Sequence, residues 1–159
     1  IARHFGYKLS IHSGSDKFSV FPSIGKNAKG RFHVKTAGTS WLVAMQVVAE
    51  ADPVLYRQVH KHALERFRDA TKYYRVTTDI ANLPDVDTLE DKSLPELFML
   101  NDVRQLIHIT YGFILTDKDD KGNFLFRDQL YVLWNKNREL YAQRLKEHIG
   151  RHLKLLYNQ

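Results

Sequence analysis

An α/β fold is predicted by three observations on these 159 residues. Two short stretches alternate apolar and polar residues with period two, as strands with one buried face do. Between and after them, turn and capping residues introduce apolar repeats at three- and four-residue steps, the spacing of a helix with one buried side. The last third of the chain is dominated by such repeats. Strands alternating with helices imply parallel connections in which helices cover the apolar strand faces. The expected architecture is the C-terminal portion of a TIM-barrel-like (β/α)8 fold ending in long helices. Two or three such units cannot close eight strands, so the others would precede Ile1, and residues 1–159 read as a single domain or a fragment of a longer α/β barrel.

The first strand is YKLSIH, with Tyr7, Leu9 and Ile11 on one face and Lys8, Ser10 and His12 on the other. RFHVKT repeats the phase: Phe32 and Val34 oppose Arg31, His33 and Lys35. RVTTDI is a weaker third candidate, with Val76 and Thr78 opposite Thr77 and Asp79. After the second strand, Thr39 or Ser40 is positioned to cap a helix through Trp41, Leu42, Met45 and Val48. Asp52 and Pro53 form a cap and first-turn pair that opens a second helix toward Tyr74, with a stripe of Leu55, Val59, Leu64 and Phe67. Ser93-Leu94-Pro95-Glu96 reads as a capping box leading into a long helix through Leu106, Ile107 and Tyr111. The polar turn TDKDDKGN ends it, and from about Arg127 the remainder reads as one helix, with Leu130, Leu133, Trp134, Tyr141, Leu145, Ile149, Leu153 and Leu156 as its apolar positions.

Composition limits the chemistry. With no cysteine there are no disulfides, thiolate nucleophiles or Cys-rich zinc sites, and any metal must use His, Asp or Glu. No apolar run reaches the roughly 18 to 20 residues of a membrane helix, and the N-terminus has no secretory apolar region. A membrane partner is therefore not expected, and the cytoplasm is the expected compartment. A net charge of +6 is compatible with nucleic acid, and the final helix gathers Arg144, Lys146, His148, Arg151, His152 and Lys154. Glu139 and Glu147 interrupt that run and no base-stacking pattern accompanies it, so a solvated helix face is expected and nucleic acid is not. A basic nucleic-acid-binding module remains the alternative from another class.

The densest chemistry lies where the first strand ends, in His12-Ser13-Gly14-Ser15-Asp16-Lys17. In a barrel, polar side chains at the C-terminal ends of strands face the lumen and form the active site. His12 and Lys35 occupy corresponding positions on successive strands. The imidazole either hydrogen-bonds within a packed strand end or coordinates a divalent ion whose other ligands come from other strands. Ser13, Gly14 and Ser15 can offer hydroxyls and backbone N–H groups to an anion, especially if Phe18 to Phe21 begin a helical turn, while the plainer reading of Gly14 is a left-handed turn residue. Lys17 and Lys35 are either solvated or attract a carboxylate or phosphate.

Other constellations read as structural. Asp117, Asp119 and Gly122 match the first, third and sixth places of an EF-hand loop, but Lys121 fills the fifth and Asp128 stands where a Glu belongs, which favours a solvated turn. His60 and His62 on one helix diverge by roughly 200° and cannot readily share an ion, so they are expected at the surface. His108 is expected as a core histidine, with contact to the site as the sharper alternative.

IHSGSDKFSVFP followed by GRFHVKTAGTSWL, with LIHITYG further on, resembles the C-terminal region of the tagaturonate/fructuronate epimerases, metal-dependent bacterial enzymes of hexuronate catabolism. The resemblance implies a barrel enzyme, an isomerase acting on a keto-uronate substrate, with a divalent metal cation as cofactor and a homo-oligomer as a possible assembly. It implies His12 as a metal ligand; Ser13, Gly14, Ser15, Asp16, Lys17, Lys35 and Thr36, at the strand ends and in the loop, are the substrate-binding candidates. The family's other ligands and its acid/base pair would precede this chain. Another sugar or sugar-phosphate isomerase or aldolase on the same fold, with Lys35 as a buried Schiff-base lysine, is the competing reading.

Overall fold

A computed structural model of the chain describes residues 1–12, 18–72 and 76–157. The chain divides into two compact units: Ile1–Val43 together with Ala142–Gln159, and Ala44–Tyr141.

The first unit contains a short helix α1 (Ala2–Phe5), strand β1 (Leu9–His12), a 3-10 turn at Phe18–Val20, helix α2 (Phe21–Ala28) and strand β2 (Phe32–Lys35). β1 and β2 pair in parallel in a two-stranded sheet, with Leu9 opposite Phe32, Ser10 opposite His33, Ile11 opposite Val34 and His12 opposite Lys35. The α/β expectation is met by this β1–α2–β2 unit, although helices dominate the chain. A helical turn does begin at Phe18, and the crossover helix continues from it to Ala28. Pro22 sits in its first turn, where the missing N–H costs nothing, and Lys29 ends it in a left-handed conformation (φ 46°) with its N–H donated to the Gly25 carbonyl.

The apolar strand face is closed by Ile11, Phe21 and Leu156, with Phe18, Ile24, Phe32, Val34 and Leu155 packed around them. Leu156 comes from helix α8 (Arg138–Tyr157). Tyr7 and Leu9, assigned to the same face, remain substantially exposed. Helix α3 (Ala37–Ala51) begins directly after β2, so Thr39 and Ser40 lie inside its first turn and are not its cap. Leu42 to Met45 and Val47 to Ala49 are all buried.

The second unit is helical. Helix α4 (Pro53–Ala70) starts as expected: Pro53 opens it and the Asp52 carboxylate accepts from the Leu55 N–H at 3.0 Å. It packs against α5 (Asn101–Ile109) and α6 (Tyr111–Thr116), and α6 packs against α7 (Arg127–Lys136). Tyr56, Val59, Leu106, Ile107, Ile114 and Leu130 are fully buried there. Arg57 ties the following loop to α4, donating from Nε to the Val86 carbonyl at 2.9 Å, from Nη2 to the Leu89 carbonyl at 2.7 Å and from Nη1 to Asp91 at 2.7 Å.

Three elements differ from expectation. The candidate third strand is absent among the described residues: 76–79 are irregular and Ile80–Asn82 is a 3-10 turn capped by Asp79, which accepts from the Ala81 N–H. An Asp that satisfies its neighbours' backbone competes with ladder pairing. The capping box at Ser93 is not formed either. Asp91–Met99 is a 3-10 segment with Pro95 inside it, Leu100 is extended, and the helix beyond is divided at Thr110, whose hydroxyl donates to the Leu106 carbonyl at 2.7 Å. The final helix is likewise two, because Asn137 (φ −110°, ψ 35°) leaves helical geometry and turns its side-chain amide to the Leu133 carbonyl.

Candidate functional site

The parallel register decides which side chains share the polar face of the β1–β2 sheet. Ile11 is buried on Phe21 and Leu156, so its neighbours along the strand, Ser10 and His12, project to the opposite side. Their partners across the ladder are His33 and Lys35. The structure thus places two rungs side by side, Ser10 with His33 and His12 with Lys35. The Ser10 hydroxyl lies 3.3 Å from His33 Nδ1. Lys8 and Arg31 carry the same polar phase one rung earlier, with the Leu9 N–H donating to the Arg31 carbonyl. Neither strand contributes a carboxylate to this face.

Of the site residues predicted from sequence, His12 and Lys35 are brought together, and Thr36 follows as the half-buried residue before α3. Ser13, Gly14, Ser15, Asp16 and Lys17 lie outside the described residues. The chamber predicted around His12 is not enclosed: His12, His33 and Lys35 are all exposed, because no described element packs over this face. The burial that would activate Lys35 as a Schiff-base lysine is missing for the same reason. His33 was placed on the polar face by its phase alone; its pairing with Ser10 depends on the register, which no single-strand pattern contains.

No group of three or more His, Asp or Glu among the described residues could hold a metal ion. The donor set on the sheet face, imidazoles without carboxylates, fits a contribution of one nitrogen ligand from His12, and does not fit a complete site among the described residues.

The remaining histidines correct two expectations. His60 and His62 are buried, not at the surface. His60 Nδ1 lies 3.3 Å from the Tyr56 hydroxyl, and burial pulls the imidazole down to about 4. His62 packs on the Phe126 ring and reaches Asp117 through Nε2 at 2.9 Å. His108 is half-buried on α5. In the terminal helix, the six basic positions do not form one solvated face: His152 is buried against Phe18 and Phe21, His148 is half-buried beside Phe18, and Arg144 donates to Glu147 at 3.0 Å. The EF-hand reading also fails on geometry. Asp119 spends its carboxylate on the Lys121 and Asn123 N–H groups and the Asn123 amide, and Gly122 (φ 83°) closes the turn.

A separate open cleft of about 550 Å³ lies in the second unit, lined by Leu55, Val132, Leu133, Asp128, Lys136 and the capping Asp52 among others; it contains none of the predicted site residues.

The chain is similar to known proteins over almost its whole length. Residues 1–156 match the family model described as tagaturonate epimerase, UxaE. The chain is 43% identical over 157 residues to a tagaturonate/fructuronate epimerase of Thermotoga maritima, covering 98% of this chain and 31% of that protein. It also superposes on native and glycerol-complexed crystal structures of the fructuronate-tagaturonate epimerase UxaE from Cohnella laeviribosi. For the native structure the TM-score is 0.93 at 53% identity, over 98% of this chain and 32% of that one, and for the two-glycerol complex the TM-score is 0.94 at 52% identity. The chain therefore spans about a third of the length of these relatives.

Proposed function

The chain belongs to the tagaturonate epimerase family, and on that premise we propose that it is the C-terminal portion of a divalent-metal-dependent epimerase that interconverts tagaturonate and fructuronate in the cytoplasm. The β1–α2–β2 unit would be part of a TIM-barrel-like fold, with the polar sheet face turned toward the lumen. The observation that carries this reading is the His12–Lys35 rung, held on the side of the sheet opposite the Ile11–Phe21–Leu156 core.

His12 would supply one nitrogen ligand to the ion, with the other ligands contributed by the rest of the longer protein. A bound divalent ion supplies Lewis acidity toward the ketone oxygen of a keto-uronate. Lys35, directly across the ladder, places an ammonium where the substrate carboxylate can approach, and Thr36 follows it at the strand end. Residues 13–17 would complete the anion cradle with hydroxyls, backbone N–H groups and Lys17.

The two keto-uronates differ at a carbon β to the ketone, whose proton is not acidic by simple enolisation. Retro-aldol cleavage is at least as reasonable as direct proton transfer. The hydroxyl on that carbon would give its proton to a base of the longer protein, and the bond to the neighbouring α-carbon would break with its electron pair passing to the α-carbon as an enolate. The same bond would re-form on the other face of the resulting aldehyde, and the proton would return to the new alkoxide. The route leaves the C–H bond of the inverted carbon intact, so turnover in D2O incorporates no deuterium there. Deuterium at that carbon would establish direct proton transfer instead.

The ligand assignment is tested by metal analysis of the full-length protein before and after His12→Ala. The variant is expected to lose stoichiometric metal together with epimerase activity. Undiminished metal in the variant would refute the assignment.

A further inference from the structure

The Ser10–His33 rung is built into the same sheet face as His12 and Lys35, yet the reading above gives it no task. His33 is not a packing residue: it is exposed and sits on the side of β2 away from Phe32 and Val34, which belong to the core. Its ring is nonetheless oriented, because the Ser10 hydroxyl, 3.3 Å from Nδ1, comes from the neighbouring strand at the facing ladder position. With Nδ1 engaged, the distal nitrogen Nε2 is the one presented outward. An imidazole held by a neighbouring hydroxyl, with its other nitrogen turned to an open polar face, is the arrangement of a ligand-binding histidine.

Distance agrees with that role. His33 precedes Lys35 by two residues, or roughly 6–7 Å along a strand that rises about 3.3 Å per residue. That separation is comparable with the reach of an extended six-carbon acid, so a carboxylate near Lys35 would leave the far hydroxyls of the same molecule over His33. The strands bring cations, imidazoles and a hydroxyl to this face.

We propose that His33 is a substrate-binding residue that hydrogen-bonds through Nε2 to a hydroxyl of the acyclic sugar acid, distal to its carboxylate, and that Ser10 is the positioning residue that sets the ring. The inference rests on the reading that this face lines the substrate site.

The test uses four variants of the full-length protein. Glutamine carries its amide nitrogen close to the position of Nε2, whereas asparagine carries its own close to Nδ1. His33→Asn is expected to raise KM by about tenfold, the worth of one hydrogen bond, with kcat changed by less than about twofold. His33→Gln is expected to hold KM within about threefold of the parent, and Ser10→Ala to fall between the two. All three should keep the metal content and melting temperature of the parent, whereas His12→Ala should lose metal. A KM in His33→Asn equal to that of the parent, or equal to that of His33→Gln, overturns the role of Nε2 while leaving the His12 assignment standing. His12→Ala retaining both metal and activity overturns the reading beneath it as well.

Discussion

His62 Nε2 and Asp117 Oδ2 stand 2.9 Å apart across 55 positions of sequence, and Arg66 Nε donates to that same oxygen at 2.7 Å. The carboxylate joins two successive turns of α4 to the residue that ends α6, and it is only 17% exposed with His62 at 10%. Replacing Asp117 by Ala leaves His62 without this partner in a buried place, while Arg66, 41% exposed, keeps Asp69 at 3.5 Å, so a loss of about 2 kcal/mol is expected. His62→Ala removes one donor and leaves Arg66 paired, so about 1 kcal/mol is expected. Urea midpoints at constant slope provide the measurement, and equal losses in the two variants would contradict the shared-acceptor geometry.

Calcium should have no effect on the Asp117–Asn123 turn. Asp117 is engaged by His62 and Arg66, and Asp119 is held below the usual carboxylate range chiefly by the backbone and side chain of Asn123. Both carboxylates already have protein donors, and Lys121 replaces the ligand of the fifth place. Millimolar calcium is expected to leave the melting temperature unchanged. A rise that disappears in Asp119→Asn would reinstate the turn as an ion site.

His60 makes stability depend on pH. Burial lowers its folded-state value from 6.5 to about 4, so between those limits the unfolded chain binds the proton more readily. Its neutral form is accommodated above pH 6.5, and stability is lost as the pH falls from 6.5 toward about 4. The full contribution is about 3 kcal/mol at 1.36 kcal/mol per unit. Melting temperature followed over that range should fall less steeply in His60→Leu than in the parent, and parallel curves would assign the acid sensitivity to another group.

The Asp52 cap has a smaller and cleaner signature. Asp52→Ala leaves the Leu55 N–H without its acceptor at the start of α4, for an expected loss of about 1 kcal/mol, whereas Asp52→Asn or Asp52→Ser should recover most of it. Thermal unfolding of the three variants distinguishes capping from any role of Asp52 in the adjacent cleft.

Trp134 tests the seam between α7 and α3 in the second unit. Its indole N–H donates to the Ala44 carbonyl at 2.9 Å, over 90 positions of sequence. Trp134→Phe keeps an aromatic ring but drops the donor and the second ring of the indole, so a loss of about 1–2 kcal/mol is expected in denaturant titration.

What sequence patterns disclosed depended on how local the cause was. Strand faces are set by period-two alternation, so the opposition of Ile11 to His12 and of Val34 to Lys35 was readable, as was the Asp52–Pro53 helix start, whose hydrogen bond spans three residues. Register is not local, and the pairing of Ser10 with His33 emerged only from the ladder. Helix breaks at Thr110 and Asn137 come from side chains that bond carbonyls four residues back, a choice their helical neighbours do not reveal. His62 read as a surface residue because its partner, Asp117, lies in a turn that looked wholly solvated. His60 misled for a related reason, since the Tyr56 hydroxyl that faces it belongs to a residue outside the apolar stripe identified on α4.

Among the described residues, β1 and β2 have only each other as neighbours. Each strand therefore keeps an outer row of amide and carbonyl groups able to accept a further β-segment. In concentrated solution the chain's own copies are the most abundant match for those rows, and self-association is the consequence.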